Sequence, residues 1–73
     1  MIENRLPGLM GQKKISIREL SRRTGISYTI LRDIYHTQRR SIQYDVLNAI
    51  CRTLEVQPGD IFVYVPEDDH EKP

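Results

Sequence analysis

The sequence predicts an all-α fold, a compact bundle of about five short helices, and three observations lead to that prediction. Apolar residues recur at helical spacing in several separate segments of the 73-residue chain. Capping residue types stand before these segments, and Gly25 stands after one of them. The turn at Gly25 is too short for an antiparallel hairpin, so the helices on either side must cross steeply, as in a helix-turn-helix.

The first helix is predicted over about residues 4–13. Leu6, Leu9 and Met10 recur at i, i+3 and i+4, with Ile2 one turn earlier. Pro7 is acceptable in a first helical turn, where its missing N–H costs no hydrogen bond, and Asn4 would then be the cap. An alternative start at Pro7 would leave residues 1–6 as a loose arm.

The second and third helices form the predicted helix-turn-helix, residues 16–35. Ser16 and Glu19 have capping-box spacing: the hydroxyl accepts from the Glu19 N–H, and the carboxylate accepts from the Ser16 N–H. Gly25 is the residue type that takes the left-handed conformation at a helix end. Ser27 can cap the third helix. That helix has an apolar stripe of Ile30, Leu31, Ile34 and Tyr35.

The exposed part of this unit is predicted to be the first turns of the third helix. Its outward side chains would be Tyr28, Thr29, Arg32 and Asp33. In helix-turn-helix proteins that bind DNA, the second helix of the motif enters the major groove with its first residues toward the base edges. These side chains can donate, accept or contact a thymine methyl group. The pattern favours DNA binding over the alternative, a helical hairpin that only packs against other helices.

Charge is divided unevenly along the chain, although the net charge is only +1. Residues 1–40 hold nine Lys and Arg against three acids, whereas residues 41–73 hold two against seven. The basic half contains the helix-turn-helix, as a phosphate-facing surface requires. The alternative is ordinary solvated charge on small helices.

A loop is predicted for residues 36–41, which include no apolar side chain. It begins where the third helix ends and can flank the groove that this helix occupies. Arg39 and Arg40 are therefore candidate phosphate contacts. His36 has no nearby histidine or cysteine partner, which favours a solvent-facing side chain over a metal ligand.

The fourth helix is predicted over about residues 44–54, with the most regular apolar stripe of the chain. Its stripe is Leu47, Ile50, Cys51 and Leu54. Within that stripe, Cys51 is interpreted as a small buried hydrophobe. Pro58 suits the first position of a last short turn of helix.

A short C-terminal strand is predicted at Val63–Val65, where a β-branched and aromatic run ends at Pro66. No other segment of this helical chain offers it a strand partner. Two interpretations stay open: pairing with its symmetry mate across a dimer, or an extended tail packed on its own domain. The corresponding homodimer surface would be Phe62, Val63, Tyr64 and Val65.

Length and composition indicate one domain, residues 1–66, followed by an acidic tail, residues 67–73, predicted to be disordered. One cysteine allows neither a disulfide framework nor a cysteine-rich zinc site, and no cofactor or metal is predicted. No signal peptide or spanning segment is visible, which predicts a cytoplasmic protein with no membrane partner. No acid–base pair, metal cluster or phosphate-cradling glycine loop is visible either, so no enzyme is predicted.

With these segments in place, the sequence resembles the Cro/cI-type (Xre-like) helix-turn-helix family of bacterial and phage transcriptional regulators, in its small single-domain subgroup. The resemblance covers roughly residues 4–65, in the blocks ISIRELSRRTGIS, TILRDIY and VLNAICRTLEVQPGDIF. It implies a lambda-repressor-like domain that binds operator DNA, often as a two-fold dimer. It therefore implies a sequence-specific double-stranded DNA-binding transcriptional regulator, with repression favoured.

The resemblance also assigns DNA-contacting positions. The residues that match them are Ser16 and Ile17 at the start of the second helix, Ser27, Tyr28, Thr29 and Arg32 on the third, and Arg39 and Arg40 in the loop. Three positions depart from the family pattern. Tyr28 and Ile17 stand where glutamine is common, and Thr37 stands near the place of a usual glycine. The alternative function is a protein-interaction module, such as an antitoxin or accessory factor, that would use the acidic tail and Val63–Val65.

Overall fold

Residues 1–66 of the protein are described by a computed structural model, and they form five helices and two short strands. The helices are α1 (Leu6–Lys13), α2 (Ile17–Thr24), α3 (Tyr28–Tyr35), α4 (Tyr44–Leu54) and α5 (Pro58–Ile61). The strands are β1 (Ile2–Asn4) and β2 (Phe62–Tyr64). The predicted helical bundle with a helix-turn-helix is confirmed. The predicted acidic tail, residues 67–73, lies outside the described residues.

The start of the first helix differs from both predictions. The helix begins at Leu6, and the residues before it form β1, so they are neither its first turn nor a loose arm. Ile2 consequently lies on a strand. Asn4 still supports the helix start, because its Oδ1 accepts a hydrogen bond from the Leu6 N–H at 3.0 Å. Pro7 stands in the first turn, as predicted.

The C-terminal strand has its partner within the chain. β2 pairs antiparallel with β1, and its register sets Ile2 opposite Tyr64 and Asn4 opposite Phe62. Beyond the ladder, the Val65 N–H donates to the Met1 carbonyl at 2.8 Å. The prediction that no other segment could pair with this strand was wrong. A three-residue segment carries too little pattern to be recognised as a strand, and only the folded chain brings it beside β2.

The core collects apolar side chains from all five helices. Its buried members are Leu6, Met10, Leu20, Leu31, Ile34, Ile50, Leu54 and Ile61. Cys51 is half-buried and packs against them, close to its predicted role as a small hydrophobe. Burial, and then the negative charge of Asp60, raise the pKa of the Cys51 thiol, which keeps it in its unreactive protonated form.

Candidate nucleic-acid interface

Only one of the two predicted capping-box hydrogen bonds forms at the start of α2, the first helix of the motif. The Ser16 hydroxyl accepts a hydrogen bond from the Glu19 N–H at 3.0 Å. The reciprocal bond from the Ser16 N–H was predicted wrongly, because the Glu19 carboxylate accepts from Arg22 and from Arg23 instead. These hydrogen bonds, first from Arg22 and then from Arg23, lower the pKa of Glu19. The carboxylate therefore offsets part of the charge of two arginines.

The turn between α2 and α3 is fixed by local hydrogen bonds. Gly25 has φ 78°, the left-handed conformation predicted for it, and its N–H donates to the Ser21 carbonyl at 2.9 Å. The Ser21 hydroxyl donates to the carbonyl of Ile26 at 2.6 Å. The Thr24 hydroxyl accepts from the Ile26 N–H at 3.1 Å. These bonds set the angle at which α3 leaves α2.

The second helix of the motif, α3, presents three of its four predicted outward side chains to solvent, and the fourth, Asp33, is half-buried. The cap of α3 is Ser27, whose hydroxyl accepts from the Ile30 N–H at 3.1 Å. Tyr28, Thr29 and Arg32 are exposed, and the tyrosine keeps 43% of its surface. Leu31 and Ile34 point into the core instead. The leading end of α3 is therefore open to a partner.

The ring of Tyr28 contacts Arg18, a residue that no sequence motif singled out. The guanidinium of Arg18, in the first turn of α2, sits 5.8 Å from the centre of the Tyr28 ring. This is cation–π geometry between the leading turns of the two motif helices. The sequence signal for Arg18 was only its place in the basic half, since no helical spacing rule links residues in different helices.

Asp33 joins α3 to the loop that follows it. Its carboxylate oxygens lie 3.5 Å from a guanidinium nitrogen of Arg32 and 3.5 Å from one of Arg39. Arg39 reaches back because α3 ends in a tight turn, in which Thr37 has φ 57° and the Gln38 N–H donates to the Asp33 carbonyl at 2.7 Å. Thr37 thus takes the left-handed conformation for which glycine is usual.

The capped helices α2 and α3, joined by a tight turn and open at the leading end of α3, agree with the comparison to known families. A family model for the Cro/C1-type HTH DNA-binding domain matches residues 5–67. The chain belongs to this family. It is also 38% identical, over 61 residues, to YozG of Bacillus subtilis (strain 168), described as an uncharacterized HTH-type transcriptional regulator. That match covers 84% of this chain and 73% of YozG.

In this Cro/C1-type domain, the remaining predicted positions differ in exposure. Ser16 is exposed, and so are Arg39 and Arg40 in the loop after α3. Ile17 is half-buried and packs against the core, so its side chain contributes to core packing. Within residues 1–66, Arg18 and Arg40 form no ion pair with a carboxylate. Their charges are unshared at this surface.

Among residues 1–66, no three His, Cys, Asp or Glu side chains are grouped so that they could hold a metal ion. None of the helices in that range has the length and apolar character needed to cross a membrane. A small cleft of about 210 Å³ lies beside the sheet, between Ile2, Ile34, Ile42 and Phe62, with Arg39 and Arg40 at its rim.

Proposed function

We propose that this Cro/C1-type domain is a sequence-specific regulator of transcription that binds double-stranded DNA, with α3 in the major groove. The observation that supports this most directly is the exposure of Tyr28, Thr29 and Arg32 at the capped start of α3. Family membership supports DNA binding, and the name of YozG supports a regulatory role. We favour repression, and we place the protein in the cytoplasm, where bacterial DNA is found.

The proposed roles follow from side-chain chemistry. Arg32 would bond the O6 and N7 atoms of a guanine, the commonest specific contact in the major groove. Tyr28 and Thr29 would read base edges or pack on a thymine methyl group. These contacts would determine sequence preference. No catalytic step forms part of the proposal.

A second set of residues would hold the duplex backbone. Arg39 and Arg40 lie in the loop after α3 and would neutralise phosphates. Ser16 and Ile17 begin α2, and Ser27 begins α3, so backbone N–H groups at these helix starts can donate to phosphate oxygens. Such contacts supply affinity that depends on salt and little on sequence.

We also propose that two copies bind together, through β2 and the residue after it. The predicted surface is Phe62, Val63, Tyr64 and Val65. Ile2 and Tyr64 face each other across the sheet and are 60% and 65% exposed, so two neighbouring side chains with apolar surface are available to a partner. A two-fold dimer would place two reading helices about 34 Å apart and select a palindromic site.

The deciding experiment is selection of bound duplexes from a random pool, followed by affinity measurements on the selected and on random DNA at several salt concentrations. We expect the selected duplex to bind at least about 10³-fold more tightly than random DNA, and both affinities to fall steeply with salt. Absence of binding to any duplex at low salt would reject the proposal.

A protein-interaction module is the second candidate, and the exposed pair Ile2 and Tyr64 is the observation that favours it. The same surface could receive a different protein instead of a second copy. An antitoxin or accessory factor of this kind would bind no DNA at low salt and would remain a monomer in isolation. The selection and a mass measurement in solution together separate the two candidates.

A further inference from the structure

One acidic side chain of the described residues, Asp33, lies between two of the proposed DNA-contacting arginines. Asp33 is on α3, and its side chain keeps 25% of its surface. One of its oxygens faces Arg32 of the reading helix, and the other faces Arg39 of the loop, each at 3.5 Å. The carboxylate therefore lies between an arginine proposed to read a base and an arginine proposed to bind a phosphate.

The fold keeps this arrangement in place. Asp33 is also the residue whose carbonyl accepts from the Gln38 N–H, and Thr37 makes the turn between them. The chain therefore returns along the end of α3, and Arg39 is carried back to the carboxylate. Any change in the length of this turn would separate Arg39 from Asp33.

The carboxylate affects two kinds of DNA complex differently. On random DNA the contacts are almost entirely to phosphates, and a negative charge among the arginines reduces the positive charge that phosphates meet. On a preferred site, Arg32 bonds a neutral base edge instead of a phosphate, so Arg39 is the one phosphate-binding arginine left beside the carboxylate. The carboxylate then weakens fewer phosphate contacts, and its removal gains less affinity on this site than on random DNA.

We infer that Asp33 is a specificity-determining positioning residue, which holds Arg32 and Arg39 back from phosphates and so weakens binding to random DNA more than binding to the preferred site. The inference rests on the proposed function. It assigns to Asp33 no contact with DNA. Its effect passes through the two arginines that it holds.

The chain contains a matched control for this inference. Glu19 also accepts from two arginines, Arg22 and Arg23, and its side chain keeps 30% of its surface. Asp33→Asn and Glu19→Gln each remove one negative charge and release two arginines. Only the first of these changes frees arginines that are proposed to contact DNA.

The test measures affinity of both variants for the selected duplex and for random DNA across salt concentrations. For Asp33→Asn we expect random-DNA affinity to rise about 3- to 10-fold at low salt, with a steeper salt slope, and selected-site affinity to change less than about twofold. For Glu19→Gln we expect both affinities to rise alike. Asp33→Glu, which keeps the carboxylate, should restore the wild-type ratio of the two affinities.

Adding Arg39→Ala to Asp33→Asn tests whether the effect passes through the loop arginine. If it does, Asp33→Asn raises affinity for random DNA less in the Arg39→Ala protein than it does in the wild type. The inference is overturned if Asp33→Asn changes both affinities equally, or if Arg39→Ala leaves its gain intact. Wild-type protein without any DNA preference would instead reject the proposed function, so the two failures are distinguishable.

Discussion

The side-chain amide of Asn4 donates a hydrogen bond to the main-chain carbonyl of Ile34 at 2.8 Å. The same nitrogen donates to the Thr37 hydroxyl at 3.1 Å, while Oδ1 accepts from the Leu6 N–H. One side chain on β1 thus joins the start of α1 to the end of α3. Because α3 is the proposed reading helix, this contact fixes the position of its C-terminal end.

Replacing Asn4 with Asp tests that contact. The variant keeps the acceptor for the Leu6 N–H but loses both donor bonds, and it brings a negative charge to the C-terminal end of α3. We expect a loss of about 1–3 kcal/mol in the free energy of unfolding, measured with urea at neutral pH. Asn48→Asp, the same change at an exposed position of α4, should cost less than about 0.5 kcal/mol. Equal losses in the two variants would show that the bonds of Asn4 contribute nothing measurable.

Two arginines should separate base reading from phosphate binding. Arg32→Ala is expected to relax preference at one base position by about 1–3 kcal/mol. Arg39→Ala should weaken binding to all sequences alike and lower the salt slope by about 1. Competition binding with duplexes that vary one base at a time measures both effects. Arg52→Ala, at an exposed position of α4 outside the motif, is the control, and three indistinguishable profiles would contradict the assignment.

Gly25 and Gly11 should respond to alanine in opposite directions. Gly25 has φ 78°, so a Cβ there is strained although no atom lies within 4 Å of its place. We expect Gly25→Ala to lower the free energy of unfolding by about 1 kcal/mol. Gly11 lies within α1, where a Cβ would also meet no atom. Alanine there should raise the free energy of unfolding by roughly 0.5–1 kcal/mol. Thermal unfolding of both variants gives the comparison, and a stabilised Gly25→Ala would contradict the left-handed turn.

The proposed dimer predicts a contrast between two exposed tyrosines. Tyr64 is 65% exposed on the sheet, and Tyr44 is 90% exposed on α4. Removing the Tyr64 ring should shift the protein toward monomers, because apolar surface at the proposed interface is lost. Tyr44→Ala should leave the association unchanged. Sedimentation equilibrium of both variants and the wild type measures this, and a wild-type protein that is monomeric at every concentration would reject the dimer.

Much of the helical framework could be predicted because its signals are local. The serines that cap α2 and α3, and the glycine between the helices, act within four residues of their own positions. The observed bounds of α4 match those predicted from its apolar spacing, because one face of that helix packs against the core along its whole length. The outward face of α3 follows from the same period, since residues opposite a buried stripe must be exposed.

The errors fell where a backbone segment or a side chain has competing partners. Asn4 was predicted to cap α1, with Ile2 one apolar turn earlier or in a loose arm, and only β2, some sixty positions later, offers the backbone of this segment a strand partner. Glu19 was expected to complete a capping box, but two arginines compete for the same carboxylate. Both outcomes depend on competition between partners, which a local pattern does not rank.

The sequence by itself therefore determined the positions of the motif helices and of α4, the serine caps, the turn at Gly25 and most of the outward face of α3, because those depend on neighbours within one or two turns. The tertiary structure alone decided what surrounds that face. It set Arg18 over Tyr28, Asp33 between Arg32 and Arg39, and Asn4 against the end of α3. Most of these contacts join different elements, and their geometry exists only after the core has brought those elements together.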